Sequence, residues 1–355
     1  MTGIPIRGPN WHRALAAGVY ACLAIAAVWA AVAIPWRSVE VALLRADKAW
    51  LGAGLVVCSI AVPIVGFQWA LFVPRNCARP FSQIVRLSVL TTFARATLPF
   101  LTGDASSIGL LVVQGGMSPG AAVSILALDQ LFTGIGKVLM VLATLWIASL
   151  PPLLFQSGLL LAVCVGSGLL VLVLAAFLGG RLGRVPGRTQ SFLARIVAGI
   201  SSGAANLEML KSPLRTSGAA AAMVLRKLVE IGVTLAVQRA VGIHLPIWSA
   251  LLFVTAIDLA GFVPGPPAGL GVFEATAIFI YRYLGVPPGI ALAAAVLQHA
   301  IYLACDIGYG YLALLAGKLS PIPEGLAEAA PALLAVPQAQ PRARSTANAA
   351  FRTRT

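Results

Sequence analysis

The chain alternates between long apolar runs and short segments that hold most of its charged residues. A helix needs about 20 apolar residues to cross a bilayer, and about six runs reach that length. They predict full membrane spans at about residues 14–34, 51–73, 119–150, 153–178, 216–241 and 288–317.

Two further apolar regions are interrupted by residues that break helices. Region 87–116 contains Pro99, Gly103 and Asp104, and region 247–284 contains the proline- and glycine-rich stretch 261–274. Irregular backbone at membrane depth is tolerated only where protein or a water-filled cavity surrounds it. Because each break leaves two arms too short to cross, we predict two broken re-entrant helical hairpins. The alternative, in which the short arms do cross, gives eight spans.

Composition supports an all-α polytopic membrane protein. The chain is 59% hydrophobic and only 10% charged, with a net charge of +14. Loops 74–86 and 181–215 are strongly basic, which predicts that they and both termini are cytoplasmic. Anionic lipid headgroups, rather than nucleic acid, are the partner that this basic excess indicates. We therefore predict a transmembrane domain over 1–320 and a disordered basic tail over 321–355.

Regions 83–150 and 247–317 follow the same order: short arm, break, acidic residue, short arm, Pro-Gly and long span. Aligning Pro119 with Pro288 brings Asp104 to within one residue of Glu274. The predicted topology makes the first hairpin enter from the cytoplasm and the second from outside. Inverted repeats with discontinuous helices are an architecture of secondary transporters, so we expect the site between the two hairpins.

Candidate site residues cluster around the breaks and in the polar parts of the spans. Glu274, at the start of a short helix, has two interpretations, as the helix cap or as a contact for substrate or a proton. Asp104 has the same two. On the last span His299, Tyr302, Asp306 and Tyr309 share a face, and a histidine there could carry a proton. The full set of predicted substrate contacts is Asp104, Gln130, Arg226, Lys227, Gly269, Gly271, Glu274 and His299.

Two interpretations of the charges on the 216–241 span stay open. Arg226 and Glu230 are spaced to pair on one helix face, which leaves Lys227 over. The basic groups then either receive a phosphate headgroup or belong to a packed ion cluster.

Motifs for other chemistry are missing from the sequence. It contains no Walker A loop, no HExxH, no Cys/His metal cluster and no nucleophile elbow. We therefore predict no cofactor, no metal and no hydrolase or ATPase activity.

The pattern from Pro264 to Glu274, with Gly-Leu-Gly-Val-Phe-Glu at its end, is followed by Leu-Gly-Val-Pro-Pro at 284–288. It resembles a flippase-like integral membrane family related to the transmembrane region of lysylphosphatidylglycerol synthase, over roughly residues 10–320. The resemblance implies a bacterial inner-membrane protein that moves or handles lipids, with Gly269, Gly271 and Glu274 matching the family motif. The first break departs from the family, because it holds Asp104 where a basic residue is usual.

We therefore expect a transporter that moves a lipid with an anionic or glycosylated headgroup between leaflets. One alternative is an integral membrane enzyme on a lipid-linked substrate, with Asp104 or Glu274 as the acid or base. Another is a non-catalytic subunit that associates with itself or with envelope-biosynthesis enzymes.

Overall fold

The structure is a computed structural model that describes most of the chain between residues 36 and 318. The first predicted span (14–34), most of the basic loop 181–215 and the tail 321–355 lie outside the described residues. The described ranges are 36–74, 79–98, 100–147, 155–160, 162–167, 210, 212–261 and 267–318.

Nine principal helices make up the described part of the chain, in which no strand occurs. Residues 155–160 and 162–167 are also helical, and a 3₁₀ turn covers Pro267–Gly269. The nine are α1 (Trp36–Arg45), α2 (Lys48–Phe72), α3 (Phe81–Thr97), α4 (Phe100–Val113), α5 (Pro119–Ile147), α6 (Pro213–Ala240), α7 (Ile247–Ala260), α8 (Val272–Tyr283) and α9 (Pro288–Lys318).

Three of the described helices, α2, α5 and α9, are long and apolar enough to cross a membrane. Helix α6 has 28 residues, a comparable length, but it carries charged residues near its middle. Such charges are tolerated in a span only when they face the interior of the bundle. The all-α membrane class predicted from the sequence is therefore confirmed.

Helices α2 and α6 pack closely because small residues lie at their contact. A side chain added at Gly54 would meet Ala236 at 3.5 Å, and one at Gly218 would meet Leu71 at 3.1 Å. Small residues let two helix backbones approach in a membrane. The residue numbers rise along α2 as they fall along α6, so the two helices are antiparallel.

Each predicted break separates two short helices. Helix α3 packs against α4, where a Cβ added at Gly103 would lie 3.1 Å from the Cα of Arg95. Helix α7 packs against α8 through Phe253 and Tyr281, whose ring centroids are 4.9 Å apart. A long helix then begins at Pro119 or Pro288, as predicted. The re-entrant arrangement and its inversion remain predictions.

Two boundaries differ from the sequence prediction. Helix α3 begins at Phe81 rather than near residue 87. Helix α1 occupies part of the segment between the first two predicted spans, where no helix is predicted. Its apolar Val39 is buried against Leu292 and Ala293 of α9, so its packing depends on a helix about 250 residues away in the chain.

The contact between α3 and α9 leads to a stability prediction. A Cβ at Gly310 would lie 2.4 Å from atoms of Phe93, whereas one at Gly308 would meet nothing within 4 Å. We expect Gly310→Ala to lower the free energy of unfolding by about 1–3 kcal/mol, because the helices must separate. Thermal unfolding of purified protein in detergent measures this, with Gly308→Ala as the matched control. Equal stability of the two variants would show that α3 does not pack against Gly310.

Candidate functional site

A cavity of about 270 Å³ with charged groups in its wall lies between α2, α3, α6 and α9. Its apolar lining comes mainly from α2, and Ser88, Thr92, Tyr302 and Tyr309 add hydroxyl groups. Charged side chains converge on it from four helices. They are Arg95 of α3, Asp129 of α5, Arg226 and Glu230 of α6, and Asp306 of α9.

Asp129 anchors the basic side of this cavity. Its side chain accepts a hydrogen bond from Trp69 Nε1 at 3.0 Å and forms an ion pair with Arg95 Nη1 at 3.3 Å. Arg226 Nη1 lies 3.7 Å from the same carboxylate and donates to Gln68 Oε1 at 3.1 Å. One buried carboxylate thus holds two guanidinium groups at the cavity wall, with a net positive charge for the trio.

Asp306 lies on the cavity wall contributed by α9. Among the described residues its carboxylate has no hydrogen-bond or ion-pair partner within the distance limits of such contacts. A carboxylate inside a membrane bundle is costly unless it meets a partner or water. The cavity wall therefore carries two guanidinium groups held near Asp129 and two further carboxylates, Glu230 and Asp306, of which Asp306 is available to a ligand.

A second buried cluster joins three helices beside the cavity. Lys227 Nζ contacts Asp258 Oδ2 at 2.8 Å and Glu230 Oε2 at 2.7 Å. Lys137 Nζ donates to the backbone carbonyl of Asp258 at 3.0 Å. The predicted pairing of Arg226 with Glu230 is therefore wrong, because Glu230 pairs with Lys227. Lys227 has carboxylate partners of its own, so of the two interpretations the packed ion cluster is the one that applies to it.

The carboxylate of Glu274 and the ring of His299 form a third polar contact, between α8 and α9. Glu274 Oε2 accepts from the backbone N–H of Gly271 at 2.7 Å, which caps α8. Glu274 Oε1 lies 2.6 Å from His299 Nδ1. On its other side, His299 Nε2 lies 3.1 Å from the carbonyl oxygen of Ala268. We call this set the loop clasp, since it ties the break region to α9.

The backbone of the clasped loop is left-handed at several positions. Gly269 and Gly271 have φ of 70° and 83°, and Ala268 has φ of 57°. For a residue with a side chain the left-handed conformation costs roughly 1–2 kcal/mol, whereas glycine adopts it freely. The left-handed backbone thus explains why glycines occur in this motif. The hydrogen bond between His299 and the carbonyl oxygen of Ala268 helps to hold Ala268 in the same conformation.

Hydrogen-bond chemistry fixes how many protons the clasp contains. The Ala268 carbonyl can only accept, so Nε2 of His299 carries a proton. One further proton must lie between Nδ1 and the Glu274 carboxylate, because two acceptors would repel at 2.6 Å. The pair has no net charge whichever partner holds that proton.

The structure distributes the predicted residues over separate places. Arg226 lines the cavity, Lys227 belongs to the ion cluster, and Glu274, His299, Gly269 and Gly271 form or flank the loop clasp. Asp104 is the fifth residue of α4, and its side chain lies outside the described atoms.

The geometry of this cavity differs from the expected site at two points. Gln130 is exposed, and its neighbour Asp129 is the residue that lines the cavity. The described lining residues come from the first short-helix pair and the long helices, and none comes from α7 or α8. The cavity therefore lies beside the first pair rather than between the two.

Arg95, Asp129 and Asp306 were not chosen from the sequence as site residues. Their charge was a signal that could have identified them, because a charged residue inside a span must face the interior of the bundle. The uncharged amide of Gln130 is less strongly required to do so. The alignment of Pro119 with Pro288 also pairs Gln130 with His299. Gln130 was favoured on the assumption that both long helices present corresponding positions to one site.

Fold and side chains together define a multi-pass helical membrane protein with a charged interior cavity. The chain belongs to the family described as the lysylphosphatidylglycerol synthase TM region, whose model matches residues 14–310. The resemblance predicted from the glycine-rich motif is thereby confirmed. Among curated proteins, no match to the chain is found.

The pair of Lys227 and Asp258 generates a test of the ion cluster. Lys227→Met leaves a 9%-exposed aspartate whose remaining cation, Lys137, is 4.0 Å away. We expect it to cost about 3–5 kcal/mol of stability, as removal of one partner of a buried pair does. The double variant Lys227→Met/Asp258→Asn should recover part of this loss in thermal unfolding. A double variant less stable than the single one would refute the pairing.

The loop clasp generates a test of local order. Glu274→Ala removes both the cap and the partner of His299, and loss of a cap alone costs ~1 kcal/mol. We expect amide hydrogen exchange in residues 268–272 to accelerate by about fivefold or more. Thr276→Ala on the same helix, which loses only a bond to Val272, is the control. Unchanged exchange in Glu274→Ala would mean that the clasp does not hold the loop.

Proposed function

We propose that this protein moves a membrane lipid between leaflets, with the headgroup passing through the central cavity. The observation that supports this most directly is a cavity in the bundle whose wall contains two arginines together with Asp306. A phosphate group would meet Arg95 and Arg226, and hydroxyl or amino groups of the headgroup would meet Asp306 and the tyrosines. An anionic or glycosylated headgroup fits this set.

The size and depth of the cavity support a headgroup rather than a whole lipid. Its 270 Å³ lies just below the roughly 300–1,000 Å³ of typical ligand pockets, so the acyl chains would remain in the bilayer. Arg226 lies at the middle of the 28-residue helix α6, which places the cavity near mid-membrane if α6 spans the bilayer. That is the depth at which transporters bind substrates.

The loop clasp has a supporting role in this proposal. It holds the second short-helix pair to α9, the same helix that presents Asp306 to the cavity. The basic loops support cytoplasmic termini, and the resemblance to the family supports a bacterial inner membrane as the location.

An enzyme acting on a lipid-linked substrate is the second candidate. Asp306 favours it more than Glu274 does, because the Glu274 carboxylate is already engaged by Gly271 and His299. A carboxylate without a partner among the described residues can act as a general acid or base.

Proteoliposomes containing fluorescent phosphatidylglycerol test the transport proposal. We expect the protein to expose inner-leaflet label to an impermeant quencher, and Asp306→Asn or Arg226→Gln to slow this by about tenfold, equivalent to ~1.4 kcal/mol. Gln130→Ala, on the same bundle but off the cavity wall, should behave like the wild type.

The other outcomes of this experiment favour the alternative functions. Chemically altered lipid, seen by mass spectrometry, would favour the enzyme. Unaltered and unmoved lipid, with a protein partner retained on purification, would favour a non-catalytic subunit. Size-exclusion profiles of every variant separate a lost site from a lost fold.

A further inference from the structure

A second cavity, of about 660 Å³, lies at the end of the bundle where α1 meets the last turn of α6. We call it the arginine pocket, because three arginines line it. Its lining residues are Arg37, Val41, Ala42 and Arg45 of α1, Arg239 and Ala240 of α6, Val241, Gly242, and Ile290 of α9.

One face of α1 forms a wall of the pocket. Arg37, Val41 and Arg45 are spaced by four residues, so they follow one another along one side of the helix. Val39, on another side, is buried against α9 and fixes the rotation of α1. The wall therefore presents two guanidinium groups with an exposed aliphatic side chain between them.

Arginines outnumber the acids around the pocket, where Glu40 of α1 follows Arg37 by three residues but does not belong to the lining. Of the described lining residues none is acidic. Asp47, the nearest acid to Arg45 along the chain, accepts a hydrogen bond from the Ala49 N–H and caps α2. Arg239 contacts His244 Nδ1 at 2.7 Å, which supplies no negative charge. The three arginines thus form a concentrated positive site.

Helix dipoles explain only part of this arrangement. Arg45 and Arg239 lie in the last turns of α1 and α6, where a cation offsets the negative helix end. Arg37 lies eight residues before Arg45, more than a turn from this helix end, so the dipole gives no reason for its position. Its position becomes favourable when an anion occupies the pocket.

The membrane position of the pocket adds a second argument. The predicted topology places the α1 segment and the end of α6 at the outer surface, where arginine and lysine are depleted in short loops. Arginines gathered there run against that tendency. An anionic ligand at this surface provides the compensating interaction.

We propose that the arginine pocket binds the phosphate headgroup of an anionic phospholipid in the leaflet next to α1. The guanidinium groups would bind the phosphate oxygens, and Val41 with Ile290 would contact the glycerol and upper acyl region. This site is separate from the central cavity, since Arg239 follows Arg226 by 13 residues, about 20 Å along α6. It does not depend on lipid transport.

Native mass spectrometry of the full chain released from detergent tests this site. With phosphatidylglycerol and phosphatidylcholine offered in equal amounts, the wild type should retain phosphatidylglycerol preferentially. The triple variant Arg37→Gln/Arg45→Gln/Arg239→Gln should lose about tenfold or more in that preference. Arg37→Gln alone should lose part of it, and this exposed side chain makes no hydrogen bond or ion pair with another described residue.

Arg282→Gln is the matched control. Arg282 is exposed in the last turn of α8, close in the chain to the start of α9 and outside the pocket lining. The proposal is overturned if Arg282→Gln lowers the preference as much as the triple variant, since any surface arginine would then suffice. It is also overturned if inorganic phosphate displaces phosphatidylglycerol at equal concentration, because the site would then recognise a free anion.

Discussion

The interior charges of α6 constrain the rest of the bundle, because a charge at membrane depth must find its partner within the protein. Arg226 and Lys227 are adjacent in sequence and point toward different partners. Arg226 reaches Asp129 of α5, whereas Lys227 reaches Asp258 of α7. These contacts fix the rotation of α6 and tie it to both halves of the chain. The same rotation of α6 places its small residues against α2, which allows the two helices to pack closely.

The two short-helix pairs, which look alike in sequence, contribute differently to this arrangement. The first supplies Arg95 to the cavity wall, where Asp129 holds it. The second supplies Asp258 to the ion cluster and attaches its loop to α9 through Glu274 and His299. The first pair, α3 and α4, therefore contributes to the cavity wall. The second pair, α7 and α8, is attached to α9, which forms another part of that wall. The glycines of the family motif serve this anchoring, since they allow the left-handed turn before α8.

Local signals predicted much of the fold. Proline at the first helical position marked the starts of α5 and α9, and the glycine-rich motif located the beginning of α8. Helix α1 was missed because its ten residues are too mixed in character to stand out, and its burial depends on α9. The predicted helix cap at Glu274 is present. Its partner His299 was identified separately, with no sign in the sequence that the two meet.

The sequence by itself determined the membrane class, the long helices, the two breaks and the family. These follow from hydropathy, proline and glycine, which act over a few residues. Only the tertiary structure decided which charges meet, because the partners are far apart in the chain. Lys137 and Asp258 are separated by 121 residues. Helix rotation, which packing sets, placed Asp129 rather than Gln130 on the cavity wall.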